Sequence, residues 1–139
     1  MGRIISIDYG RKRTGLAVTD TLQLIANGLC TVPSNELIDF LKNYIEKESV
    51  EKFIVGSAKQ MNNQPSESMK YIEPFVHLLK KTFPAIPVEM VDERFTSMLA
   101  HQAMLDAGLK KKDRQNKALV DEISAVIILQ SYLESQRYN

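Results

Sequence analysis

The chain has 139 residues, 44% of them apolar and 25% charged, and 18 Lys and Arg against 17 Asp and Glu leave a net charge of +1. That length suits one domain over residues 1–139, and a chain of this size buries roughly two-thirds of the surface its unfolded form exposes, so it needs no disulfide or structural metal to fold. A single cysteine, Cys30, excludes an internal disulfide and suits a reducing, cytoplasmic setting, while no apolar run approaches the roughly 20 residues that span a bilayer.

Residues 3–8 read as a strand, β-branched and apolar on both faces through Ile4 and Ile5, which suits a central strand covered on two sides. Asp8 ends this apolar run far short of a signal peptide's hydrophobic region. Residues 10–15 form a glycine-bounded basic turn. Residues 15–20 alternate Leu16 and Val18 against Ala17 and Thr19, a second strand hairpin-linked to the first. A third short strand covers residues 28–32, so the sheet opens antiparallel. Pro33 and Ser34 start a helix, with Ser34 as its N-cap and Glu36 in its first turn. Leu37, Ile38, Leu41, Tyr44 and Ile45 then give it one apolar stripe. Residues 52–56 form a fourth strand, followed by a polar loop over 57–65. Helical periodicity returns over 66–83 through Met69, Ile72, Val76 and Leu79. Pro74 predicts a kink or break there, because an interior proline costs about 3 kcal/mol. Residues 87–91 make a fifth strand. Thr96 or Ser97 caps a helix that Gly108 ends, and residues 118–136 form a last helix, apolar on most sides and therefore buried. This order predicts an α/β fold: a mixed five-stranded sheet, three antiparallel strands and then parallel additions, with helices on both faces.

The near-neutral total hides an uneven distribution. Arg11, Lys12 and Arg13 stand together without an acid, and Lys110, Lys111, Lys112, Arg114 and Lys117 share their segment only with Asp113. Two such loops are either simply solvated or an electrostatic footprint for a polyanion. At three places acids stand where a core has no use for them. Asp8 ends an apolar strand in which an unpaired buried charge would cost many kcal/mol. The strand must therefore deliver it to the C-terminal edge of the sheet, where open α/β sheets bind ligands. Asp92 and Glu93 end the fifth strand in the same way, and Asp121 falls in the first turn of the last helix among Leu119, Val120 and Ile123.

Each acid has a structural alternative. Asp8 can cap the turn at Gly10, Asp92 or Glu93 can pair with Arg94, and Asp121 can complement the helix dipole for about 0.3–1 kcal/mol. A hard divalent cation accounts for all of them together, since Mg²⁺ or Mn²⁺ takes carboxylate oxygens and keeps waters. Two ions about 3.5–4 Å apart would serve phosphodiester hydrolysis, and the basic loops would neutralise substrate phosphates. No side chain offers itself as the nucleophile: Cys30 falls in a strand, and His77 and His101 fall on helices.

Four segments carry a resemblance. They are Ile7-Asp8-Tyr9-Gly10 with residues 11–15; Ile54-Val55-Gly56; Asp92-Glu93-Arg94-Phe95-Thr96-Ser97; and Asp121-Glu122-Ile123-Ser124-Ala125-Val126-Ile127-Ile128-Leu129-Gln130. In this order, at this chain length, they resemble the YqgF family of bacterial RNase H-like proteins over essentially the whole chain. The resemblance implies an RNase H-like fold and a Mg²⁺- or Mn²⁺-dependent endonuclease, a hydrolase acting on ester bonds. Its implied work is maturation of the 5′ end of the 16S ribosomal RNA precursor, or resolution of Holliday junctions. By motif match Asp8, Glu93 and Asp121 are the catalytic, metal-binding triad. Arg11, Lys12, Arg13, Arg94, Lys110, Lys111, Lys112, Arg114 and Lys117 are the nucleic-acid contacts. The implied partners are structured RNA precursors or branched DNA, with ribosomal precursor particles, no membrane, and a monomeric or homodimeric chain. One departure stands out: Ser57-Ala58 follow Gly56 where similar proteins carry Leu-Pro, which bears on the shape of the substrate-side loop.

Two rivals remain open. Asp8-Tyr9-Gly10 with its hairpin also resembles the phosphate loop of actin-like ATPases and sugar kinases, which are usually longer and two-lobed. A protein that holds structured RNA without cutting it would use the basic loops and have no use for the acids.

Overall fold

The computed structural model describes residues 2–57, 69–92 and 117–137. Strands β1 (Arg3–Asp8), β2 (Arg13–Thr19) and β3 (Ala26–Pro33) form an antiparallel meander. A 3₁₀ turn (Ser34–Glu36) leads into α1 (Leu37–Lys47), and β4 (Val50–Ser57), α2 (Met69–Thr82), β5 (Val88–Asp92) and α3 (Lys117–Arg137) follow. Among the described residues the sheet has five strands in the order β3-β2-β1-β4-β5, with β4 parallel to β1 and β5 parallel to β4. The central position of β1 explains its two-sided apolar sequence.

The two faces differ in the size of their side chains. On one, Ile5, Ile7, Leu16, Val18, Phe53 and Val55 pack against Leu37 and Leu41 of α1 and Ile72, Phe75, Val76 and Leu79 of α2. On the other, Ile4, Ala17 and Ile54 meet Ala125, Ile128, Leu129, Tyr132 and Leu133 of α3. Small residues let α3 lie close to the strands. The Ser6 hydroxyl donates to the Ala125 carbonyl at 2.8 Å. A Cβ at Gly15 would collide with the Asp121 carbonyl, and one at Gly28 with the Glu122 carboxylate. Among the described residues no helix is long and apolar enough to cross a membrane.

Three local expectations are corrected. Ser34 does not cap α1 through its side chain; it opens the 3₁₀ turn, and its hydroxyl instead donates to the Gly10 carbonyl at 2.5 Å and accepts from Thr14. Of the kink or break expected at Pro74, the break does not occur, and α2 runs through it. Ile72, Phe75, Val76 and Leu79 flank the proline and are all buried; burying each is worth about 1.5–3 kcal/mol, which outweighs the proline's cost of about 3 kcal/mol. Asp121 is not in the first turn of the last helix, because α3 starts at Lys117 and has no acid in its first turn. Arg13 and Lys117 likewise belong to β2 and α3 rather than to loops. The helix expected between Thr96 and Gly108 lies outside the described residues, as does the polar loop beyond Ser57.

Candidate functional site

Two of the three acids meet because of how α3 lies on β1. The helix is pinned where Ser6 bonds Ala125. From Ser6 to Asp8 is two residues along one face of the strand, about 6.6 Å. From Ala125 back to Asp121 is one helical turn, about 6 Å. α3 runs against the direction of β1, so the two steps end at the same place. The pairing of Asp8 with Gly15 completes the placement, since the Asp121 backbone rests on the Cα side of that glycine. The consequence is electrostatic. Burial, and then the negative charge of Asp121, push the Asp8 carboxyl up from its ordinary 3.8 to about 7. The dipole explanation for Asp121 loses force, because that effect falls off within the first turn.

The basic turn between β1 and β2 is held from both faces of the sheet. Arg13 reaches the α3 side, where its Nε lies 2.5 Å from Asp121 Oδ2. On the α2 side Tyr9 stacks on Phe75 with ring centroids 4.3 Å apart, and the Arg11 guanidinium lies 4.5 Å from the centre of the Tyr71 ring. Ser34 ties the base of the turn. Its backbone N–H donates to the Lys12 carbonyl at 3.0 Å. With its hydroxyl proton given to Gly10, the 2.9 Å contact to Thr14 is a bond that Thr14 donates. Gly10, Arg11, Lys12, Arg13 and Asp121 line an open cleft of about 390 Å³.

Asp8, Asp121 and Arg13 are therefore brought together, with Arg11 and Lys12 on the same cleft. Glu93, Arg94, Lys110, Lys111, Lys112 and Arg114 lie outside the described residues, and Lys117 is the first residue of α3. Among the described residues no three His, Cys, Asp or Glu side chains form a group that could hold a metal. β5 ends at Asp92, on the same edge as the end of β1. Gly56 stands on the strand between them and adds no side chain. Val91, its partner on β5, packs with the α3 cluster. Cys30 is free and half-buried, and burial followed by the charge of Glu122 pushes its thiol up, the reverse of an activated nucleophile. His77 is exposed on α2.

Sequence reasoning missed Ser6, and it missed the part that Gly15 and Ser34 play in positioning the site without contributing its chemistry. The alternation of Ser6, Gly15 and Ala17 among large apolar residues was the available signal for a helix lying close to one face.

Residues 2–135 match the family model described as RuvX: Holliday junction resolvase. The chain belongs to the RuvX family. The resemblance to YqgF proteins drawn from the motifs is thereby borne out. Relatives bearing the name "Putative pre-16S rRNA nuclease" occur in Phocaeicola vulgatus and Bacteroides thetaiotaomicron. Each is 72% identical over 138 residues, covering 99% of this chain and 99% and 100% of the respective relatives. A relative of the same name in Porphyromonas gingivalis is 58% identical over 135 residues, 97% of this chain and 98% of its own. Among solved structures, Fowlpox virus resolvase with Holliday junction DNA has a TM-score of 0.63 at 14% identity, covering 96% of this chain and 98% of that one. T. thermophilus RuvC with a Holliday junction substrate has a TM-score of 0.56 at 16% identity, covering 99% and 96%. At such identities the likeness is one of architecture, and it bears out the RNase H-like fold of this RuvX family member.

Proposed function

We propose that this chain is a divalent-metal-dependent endonuclease, one catalytic domain over residues 1–139, that hydrolyses phosphodiesters of the 16S ribosomal RNA precursor near its 5′ end. The carrying observation is that two carboxylates, Asp8 and Asp121, are held together at the sheet edge against their mutual repulsion, beside a cleft lined by Arg11, Lys12 and Arg13. A donor set of carboxylate oxygens is what Mg²⁺ or Mn²⁺ takes. Asp8 and Asp121 would hold the metal together with Glu93. Glu93 follows Val91 by two positions, and Val91 packs on the α3 side. When bound, the metal supplies an activated water and neutralises charge on the leaving oxygen. Arg11 and Lys12 draw the substrate phosphates into the cleft, together with Arg94, Lys110, Lys111, Lys112, Arg114 and Lys117 where those reach it. Precursor RNA, free or in ribosomal particles, is the substrate favoured by the names that the relatives at 72% identity carry.

A second reading, cleavage of four-way DNA, is favoured by the family's description and by the junction DNA bound in both structural relatives. It requires a symmetric homodimer that sets two sites on two strands. The test is cleavage of a precursor 16S RNA and of a four-way DNA junction by purified protein, each with Mg²⁺, Mn²⁺ or EDTA. We expect cleavage of the RNA only with metal, and none by Asp8→Asn or Glu93→Gln. Metal-independent binding without turnover would refute the proposal in favour of a binding protein. Saturable ATP binding without nuclease activity would favour a kinase-like lobe.

A further inference from the structure

We propose that Arg13 is the resident counter-cation of Asp121 and a positioning residue for the metal. It holds the Asp121 carboxylate while the site is metal-free, is displaced when a divalent cation enters, and then offers its guanidinium to a substrate phosphate. The inference rests on the nuclease reading and adds to it an exchange of cations.

The geometry has three parts. Arg13 Nε lies 2.5 Å from Asp121 Oδ2, so the guanidinium sits against the carboxylate that the metal would need. The backbone of Arg13 is fixed as the first residue of β2, paired with Pro33 across the sheet, so only the side chain is free to move. The side chain is 37% exposed and lines the open cleft beside Asp121, so it has somewhere to go. Neither neighbour has this arrangement. Arg11 lies over the Tyr71 ring, and Lys12 is exposed on the turn.

Electrostatics favours the exchange. Asp8 and Asp121 repel each other, and Arg13 offsets part of that repulsion in the metal-free protein. A divalent ion taken by Asp121 would compete with the Arg13 guanidinium for the same carboxylate, and the two cations would repel each other across it. The ion pair then opens. A guanidinium released at the rim of the cleft presents a planar fork to phosphate, the geometry in which arginine binds best. Metal and nucleic acid then favour each other's binding, and by linkage the effect is reciprocal.

The test follows the arginine Nε–H signals of uniformly ¹⁵N-labelled protein through a Mg²⁺ titration. Arg13→Lys assigns the resonance, and backbone amide shifts in the same spectra report affinity. The Arg13 signal is expected at an ion-paired position without metal and at a solvent-exposed position with it. In Asp121→Asn it should be at the exposed position from the start. Arg13→Gln should bind Mg²⁺ about 1.5–5-fold more tightly than wild type, the worth of a partly exposed ion pair. Lys12→Gln, which removes equal charge from the same turn, should change affinity much less. Mg²⁺ binding that leaves the wild-type Arg13 signal in place, or equal effects of the two glutamine variants, would overturn the exchange while the metal site stands. No Mg²⁺ binding by wild type, with or without a non-cleavable oligonucleotide, would remove the metal reading and the exchange with it.

Discussion

Asp8→Asn separates what the carboxylate does for chemistry from what it does to stability. In the metal-free protein burial and Asp121 hold this carboxyl at about 7, against an ordinary 3.8. Between these values the folded chain keeps a proton that the unfolded chain has released. Stability therefore falls as pH rises through the window from about 4 to about 7, and it levels off above. At about 1.4 kcal/mol per pH unit, the full span corresponds to about 4 kcal/mol. Partial exposure of Asp8 and relaxation of its coupled neighbours reduce this, and about 1–3 kcal/mol is expected. Asparagine carries no charge to desolvate. In EDTA at pH 8 the variant should be more stable than wild type by that amount, with the gap closing towards pH 5. Urea denaturation at pH 5, 6, 7 and 8 reads it as a shift in midpoint at constant slope. Asp20 and Glu89 do not blur the window. Backbone N–H groups, Ile25 first, lower the one and Lys52 lowers the other, so their stabilisation is lost only as pH falls below about 4.5, under the range from pH 5 to 8 that the assay covers. Saturating Mg²⁺ should restore wild type at pH 8 and leave the variant unchanged, while the variant cleaves nothing at any pH. Wild-type stability that is flat from pH 5 to 8 in EDTA, or a variant less stable at pH 8, would refute the reasoning.

Gly15→Ala forces a Cβ into the Asp121 backbone, so α3 must shift. We expect a loss of about 1–3 kcal/mol in urea denaturation and a fall in metal-dependent cleavage of about 10²-fold, since small misplacements at reacting groups cost that much. Pro74→Ala should stabilise the chain by about 1–3 kcal/mol, because an exposed position inside α2 regains a backbone donor; thermal denaturation checks it, and no gain would mean the helix needs the proline's fixed backbone. Phe53→Ala empties a fully buried position between the sheet and Phe83, with a cost of about 3–5 kcal/mol in the same measurement.

How legible the fold was depended on the range of the interactions that decide each element. β1 was readable because burial on two faces leaves a sequence without polar alternation, and Ile4 with Ile5 could belong only to a central strand. β2 follows from its alternation, and the antiparallel opening from the short connections. The misreadings were local signals overruled by distant partners. Ser34 has the chemistry of a cap, but its hydroxyl is turned to Gly10 and Thr14 on the neighbouring hairpin. Pro74 has the chemistry of a break, but the core takes the side chains around it. At the site, Asp8 was legible because a carboxylate at the end of an apolar strand has few places to go. The role of Arg13 was not legible. A cation beside a glycine turn looks the same whether its anion belongs to a ligand or to a helix more than 100 residues later, and only the docking of α3 reveals Asp121 as its partner.

That docking also explains why so much chemistry is packed into one hairpin. Residues 8–15 supply the buried carboxylate of Asp8, the cleft cations Arg11 and Lys12, the partner of Asp121 in Arg13 and the seat of α3 in Gly15. Because α3 is held against β1 by Ser6 and rests on Gly15, Asp121 moves with the same hairpin. The relative positions of Asp8, Asp121 and the cleft cations are therefore set by one short antiparallel pairing and one helix contact, and not by the loops that surround them. Substitutions outside the hairpin, such as Ser57-Ala58 in place of Leu-Pro, would on the proposed reading alter which nucleic acid enters without disturbing the carboxylates that would cut it. A change at Gly15 or Ser6 acts on the chemistry whatever the substrate. On that reading, the same acidic pair would serve a ribosomal precursor or a branched DNA, with the choice made outside the hairpin.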